Sequence, residues 1–328
     1  MIKKILVIGG EGYIGKVVCE DLVKKKHNVI SFDNLIYKQD FNKKLIHYNN
    51  YKFIFDDIRN IESIKKILQN VDSIIILAGL VGDPITKKYP IISNEINFLA
   101  IKNVIDVSLS MNIERVIFVS TCSNYGVLPE NDLATEETIL NPLSKYAKDK
   151  VNIENYILSK KNETDTCLTI LRFATAFGLS DRMRFDLTIN EFTKDLFLGK
   201  NLDVFDPDTW RPYCHIRDFS KIINEILFID KDKIFFEIYN AGSDINNYTK
   251  RMIAEKIFKI LNNGKISYIQ KKDSDPRNYK VNFNKLKKLI DFKADYNIEK
   301  GINEIINFLT SKKKYITNME KLGNYIIN

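Results

Sequence analysis

The first 173 residues are punctuated by short runs that are apolar almost end to end: KILVIG (4–9), NVISFD (28–33), YKFIFD (51–56), SIIILA (73–78), RVIFVS (115–120) and CLTILRF (167–173). A half-exposed strand alternates apolar and polar residues. A strand apolar on both faces must be covered on both, as in a parallel sheet held between helices. Segments with helical periodicity, at about 14–26, 61–69, 93–111 and 144–160, separate these runs. Strand and helix in alternation predict an α/β chain with a doubly wound parallel sheet.

The pattern changes after residue 173. FGLSDRMRFDL (177–187) reads as a loop carrying two arginines and leads into a helical segment at about 186–198. A helix at about 217–229 and the strand-like FEIYNAG (236–242) read as late additions to the first sheet, whereas 249–309 reads mostly as short amphipathic helices. At 328 residues the chain has the length of about two domains. The expected division assigns 1–173 plus 213–242 to a nucleotide-binding (Rossmann) domain and 174–212 plus 243–315 to a smaller, mostly helical substrate domain. Residues 316–328 are expected to form an extension on the surface.

A composition of 45% hydrophobic and 28% charged residues is that of an ordinary water-soluble globular protein. The net charge of +8 comes from basic residues spread along the chain, with SKKKY (311–315) the nearest thing to a basic run. Such a balance suits anionic small molecules, phosphorylated ones included, and argues against a nucleic-acid partner. Cys19, Cys122, Cys167 and Cys214 lie far apart, and the three histidines (His27, His47, His215) make no metal-ligand spacing with them. No metal is expected, and a reduced, cytoplasmic setting is. The N-terminus opens straight into a strand-like run rather than a leader, and no apolar stretch approaches the length of a membrane span.

Three local patterns carry chemistry. GGEGYIG (9–15) sets Gly9-x-x-Gly12-x-x-Gly15 between the first strand and the first helix. Glycines there let the chain turn tightly and let a pyrophosphate approach the helix N-terminus, where free N–H groups and the dipole favour negative charge. The second strand ends in Asp33, placed to accept hydrogen bonds from the adenosine ribose hydroxyls and to repel a 2′-phosphate, which argues for NAD over NADP. Further on, Tyr146 and Lys150 in YAKDK stand at i and i+4 on one helical face, after a strand that ends at Thr121. A lysine ammonium beside a phenol favours the phenolate, which can take a proton from an alcohol while hydride leaves for a nicotinamide. Thr121 could then hydrogen-bond the reacting oxygen.

Together with FDNL (32–35), DDIR (56–59), ILAG (76–79), EIN (95–97), STCSNYG (120–126), LRFATAFG (171–178) and RPYCHIRD (211–218), these motifs resemble the extended short-chain dehydrogenase/reductase family, in its nucleotide-sugar epimerase, dehydratase and dehydrogenase branch. The resemblance runs over about residues 1–310. It implies an NAD-dependent enzyme whose catalytic Ser/Thr, tyrosine and lysine are Thr121, Tyr146 and Lys150. Asp57 and Ile58 would flank the adenine, and Leu77, Ala78, Gly79 and Asn97 would line the cofactor with Gly9, Gly12, Tyr13, Ile14, Asp33, Asn34 and Phe173. Arg211 and Arg277 match arginines that hold the diphosphate of a GDP- or UDP-linked sugar, and Val81 and Arg184 complete the implied substrate set. A homodimer or larger homo-oligomer, through a two-helix contact, is also implied.

Departures from the family pattern narrow the chemistry. Ile8 stands where many relatives carry threonine, and Phe173 replaces a frequent tyrosine. The 4,6-dehydratases carry Asp-Glu where this chain has Cys122-Ser123, and neither a thiol nor an alcohol replaces that acid–base pair. Elimination of water is therefore not expected. LVGDP (80–84), FGLSDRMRFDL and SDPRNYKVNF (274–283) resemble a subgroup that oxidises carbon 4, the nearest being the GDP-mannoheptose 4-dehydrogenases of capsule biosynthesis. The expected activity is NAD-dependent oxidation to the 4-keto sugar, with a second substrate to reoxidise the NADH. A 4-epimerase, which returns the hydride to the same sugar, and a non-catalytic NAD sensor are the alternatives.

Overall fold

The computed structural model describes residues 2–270, 277–312 and 322–327. Ser274, Asp275 and Pro276 of the SDPRNYKVNF motif lie outside the described residues, as do 313–315, 316–321 and 328. At the centre is a seven-stranded sheet, parallel throughout, in the order Glu237–Ala241, Cys167–Phe173, Arg115–Thr121, Ser73–Ile76, Lys4–Ile8, Asn28–Asp33, Tyr51–Phe55. All the expected strands, FEIYNAG included, are in it. Successive connections run one way from Lys4–Ile8 and the other way from Ser73–Ile76, which opens a crevice at the carboxyl ends of these two neighbours.

The apolar runs explain the layering. Ile5 and Val7 pack with Val18, Leu22 and Phe219 on one face, while Leu6 and Ile8 pack with Ile64, Ile101 and Val104 on the other. Every residue of Arg115–Thr121 and Cys167–Phe173 is buried, whereas the edge strand Tyr51–Phe55 buries only Tyr51. Two helices serve the site directly. Gly15–Lys24 starts on the glycine loop with no side chain capping it. Lys145–Ser159 starts on Ser144, whose hydroxyl accepts from the Ala147 N–H at 3.2 Å.

The helix expected over 93–111 is instead Pro90–Asn94, a π-helical turn Glu95–Ala100, and Ile101–Ser110. Such turns re-aim side chains and recur near functional sites. Asn97 sits in this one.

A second apolar cluster joins Phe177, Phe185, Phe192, Ile253, Ile257, Ile302 and Ile305, between the helices Thr188–Phe197, Lys250–Leu261 and Ile298–Ser311. The helical reading of 249–309 needs correction here. Lys265–Ile269 is a strand, paired in parallel with Asn201–Phe205. Asn262 and Gly264, both left-handed with φ of 45° and 78°, stop the preceding helix and turn the chain into KISYI, whose β-branched and aromatic residues suit a strand.

The described end of the extension, residues 322–327, is anchored to the body of the protein: the Leu322 carbonyl accepts from the Phe185 N–H at 2.8 Å, and Asn324 and Ile327 are 6% and 8% exposed, while Leu322, Tyr325 and Ile326 remain exposed. Among the described residues no helix is long and apolar enough to cross a membrane.

Candidate active site

A cavity of about 340 Å³ opens at the crevice and runs from the glycine loop to the helix starts at Thr188 and Lys250. Its floor is main chain. A Cβ on Gly9, whose φ is 87°, would lie 2.6 Å from the Ala78 nitrogen, and one on Gly15 would lie 2.1 Å from the Gly9 oxygen, so both positions exclude side chains. On Gly12 a Cβ would meet only the Gly9 oxygen, at 3.2 Å. Apart from that one close contact, space is open around this glycine. Ile8, Tyr13, Ile14, Leu77, Ala78 and Gly79 continue the wall. The Tyr13 hydroxyl is turned away, donating to the Gly178 carbonyl at 2.6 Å and accepting from Asn190 at 3.0 Å. Glu11 is fully buried and pins the loop, accepting from the Tyr51 hydroxyl and the Asn42 N–H, each at 2.6 Å.

Asp33 lies at the tip of its strand and lines the cavity with Asn34 and Ile58. Its carboxylate accepts from the Leu35 N–H at 2.8 Å and from the Glu11 N–H at 3.1 Å. Burial nevertheless outweighs these bonds and pushes its pKa up to about 6.

Thr121, Tyr146 and Lys150 converge on the same cavity with Phe173, which stacks on Phe219 at 3.8 Å. Thr121 Oγ1 accepts from the Ser123 N–H at 3.1 Å, which leaves its own proton to donate. The Lys150 ammonium donates to the Val119 carbonyl at 2.7 Å and stands 6.0 Å from the centre of the Tyr146 ring. Burial holds its pKa down to about 8, against the pull of Glu154 and Asp149. Burial likewise pushes the Tyr146 phenol above its usual range, and the cations that oppose this most are Arg184 and Arg277. The sequence pattern points to Lys150 as the charge acting on the phenol; in the fold, two arginines from the second half of the chain share that task.

The far wall is cationic. Arg182, Arg184, Arg211, Arg277 and Lys250 all line it, together with Val81. Arg184 is gripped by Asp186 through bonds of 3.1 and 2.6 Å, which holds its pKa up against the cost of burial. Arg277 pairs with Asp83 at 2.9 Å and donates to Ser123 Oγ at 3.3 Å, while Arg211 donates to the main-chain carbonyls of Trp210 and Arg277. Tyr279 Oη and Ser123 Oγ lie 3.4 Å apart at the same corner.

Two expected residues lie outside the lining. Asp57 is engaged by Arg59 and, at 2.7 Å, by Asn34, and its neighbour Asp56 faces the cavity instead. Asn97 is fully buried behind the wall, accepting from the Leu80 N–H at 2.7 Å and donating to the Leu80 carbonyl at 3.0 Å, so it sets the loop after Ser73–Ile76. Lys250 and Asn324 line the cavity without a sequence signal to announce them, and so do Ser123, which the sequence marked only as a departure from the dehydratase pair, and Arg182, which it marked only as one of two loop arginines. Cys122 does not line it. Its thiol is buried, donates to the Arg172 carbonyl at 3.1 Å, and is held above its usual pKa by burial. All four cysteines are free and buried, and no group of three metal-ligating side chains occurs among the described residues.

Residues 5–242 match the NAD dependent epimerase/dehydratase family. This chain belongs to that family. As an epimerase/dehydratase family enzyme it uses NAD, and its residues fit that cofactor: a bare Gly12, an uncapped helix N-terminus and the Asp33 carboxylate line one end of the cavity. The uncharacterized UDP-glucose epimerase YtcB of Bacillus subtilis is 28% identical, covering 94% of this chain and 98% of that one. The UDP-glucuronate 4-epimerase of Thermodesulfobacterium geofontis is 26% identical, covering 92% and 95%. Among solved structures, the UDP-glucuronic acid 4-epimerase of Bacillus cereus, in complex with UDP-glucuronic acid and NAD, superposes with a TM-score of 0.85 at 22% identity, covering 94% and 99%. That likeness speaks for the fold.

Proposed function

We propose that this family member oxidises and re-reduces carbon 4 of a nucleotide-activated sugar, acting as a 4-epimerase. The observation that carries the reading is one cavity with Thr121, Tyr146 and Lys150 at the end of the sheet and four arginines opposite. NAD supplies the hydride acceptor when bound. The chain supplies the rest. The arginines would hold a diphosphate, since a guanidinium grips phosphate oxygens with paired N–H bonds. Thr121 would donate to the sugar's 4-oxygen and Tyr146 would take its proton as the C–H bond breaks. Burial raises the phenol's pKa in the free protein, so Tyr146 must first release its own proton to solvent before it can act as the base, a loss that Arg184 and Arg277 favour. Turning the 4-keto sugar over and returning proton and hydride would invert carbon 4.

The relatives named above carry UDP-sugar names, which supports a UDP-linked substrate and gives no support to the GDP-heptose expected from the sequence. Net oxidation, the other expectation, would need a second substrate to take the hydride. The test is to incubate the NAD-loaded protein with a panel of UDP- and GDP-sugars deuterated at carbon 4 and to follow products by NMR and mass. Inverted carbon 4 with the label retained is the expected result. A product lighter by two hydrogens would replace the epimerase with a dehydrogenase, and no reaction with any sugar would overturn the proposal. The homo-oligomer implied by the family resemblance would be read by analytical ultracentrifugation.

A further inference from the structure

We infer that residues 322–327 form a strap across the dinucleotide cavity, with Asn324 as the positioning residue that joins its two walls and keeps the cofactor bound from one turnover to the next. Asn324 lines the cavity and is 6% exposed. Its Nδ2 donates to the Val81 carbonyl, 3.1 Å away, and its Oδ1 accepts from Arg182 at 2.6 Å. Val81 follows the strand Ser73–Ile76, while the Arg182 guanidinium lies 4.8 Å from the centre of the Tyr37 ring, beyond the strand that ends in Asp33. One amide thus ties both sides of the switch point to the arginine wall.

The segment is anchored along its length. The Leu322 carbonyl accepts from Phe185 at 2.8 Å, and the Asn324 N–H donates to the carboxylate of Asp186, the partner of Arg184. At Gly323 the chain passes so close that a Cβ would lie 2.9 Å from Asp186 Oδ1. Ile327 is buried in the cluster that holds Ile58 and that Ile36 and Tyr37 border. Chain ends usually fray unless tied down, and a buried amide with both of its ends satisfied is costly to pull out. A retained cofactor suits a reaction that gives its hydride back to the same sugar.

The inference rests on the reading that the Asp33 end of the cavity receives the adenosine. The experiment is displacement of bound NADH by excess NAD, followed by NADH fluorescence, on the whole protein, on a chain ending at residue 321, on Asn324→Ala and on Ile326→Ala, whose side chain is 60% exposed. The shortened chain should release NADH at least about tenfold faster and Asn324→Ala about three- to tenfold faster, the scale of one or two lost hydrogen bonds. Ile326→Ala should match the wild type. A merely structural role would lower the melting temperature and leave the release rate of the folded protein unchanged. Unchanged release in Asn324→Ala overturns the strap, and that variant alone decides the matter if the shortened chain does not fold. Failure of the wild type to bind NADH would instead strike the cofactor reading.

Discussion

At the Asp33 end the cavity wall is main chain: three glycines, an uncapped helix start and the carbonyl and amide ends of neighbouring strands, all within the first 80 residues. At the opposite end the wall is side chain, with Arg184, Arg211 and Arg277 reaching in from segments far apart in sequence, while Arg182 reaches back to the Tyr37 ring. A main-chain wall recognises what every substrate pair shares, the dinucleotide. A side-chain wall can be re-cut by single substitutions, which is where sugar and base would be selected.

Tyr146→Phe tests the chemistry between the two ends and should have the largest effect, about 10²–10⁴-fold off kcat, with NAD affinity unchanged. Steady-state turnover beside calorimetry reads both. At the main-chain end, Gly15→Ala puts a Cβ 2.1 Å from the Gly9 oxygen. A few kcal/mol of strain should weaken NAD about a hundredfold and lower the melting temperature, and an unperturbed Kd would mean that the loop is not the rigid wall described. Arg277→Met should raise KM for the sugar nucleotide about ten- to a hundredfold while leaving NAD affinity alone, the scale of a lost charge-assisted contact. An equal loss at both ends would erase the distinction between them.

The smallest effect is that of pH. The Asp33 carboxyl is raised to about 6 in the free protein, and only its ionised form could accept two hydrogen bonds from ribose hydroxyls. Affinity for NAD should therefore be full above that value and fall as pH drops through it, by about tenfold from pH 7.5 to 5. Asp33→Asn should flatten this dependence in a calorimetric titration.

The same contrast decides what could be read from the sequence. Gly9, Gly12, Asp33, Tyr146 and Lys150 were legible because each motif is local: its members are neighbours in the chain, and strand ends or helical spacing place them. Asp56 and Asp57 show the limit even there. Successive residues after an edge strand point apart, and only the fold shows that Asp56 faces the cavity. Arg211 and Arg277 emerged only through family resemblance, and Lys250 and Asn324 not at all, since no period links residues brought together by separate segments. The strand Lys265–Ile269 was lost for a related reason. It has a single partner, Asn201–Phe205, and its half-exposed residues leave a pattern too short to outweigh the helices around it.

Cys122 carries a consequence for how such enzymes diverge. Its thiol points at the Arg172 carbonyl, with the Asn240 side-chain oxygen 4.0 Å away. A carboxylate substituted there would be buried against two acceptors, and the one cation acting on the position, Arg172, is already paired with Glu154. Acquiring the acid of a water-eliminating relative is thus not one mutational step for this lineage. The turn Cys122–Tyr125 would first have to rotate its leading residue into the cavity, and until it did, each intermediate would lose stability without gaining a new reaction.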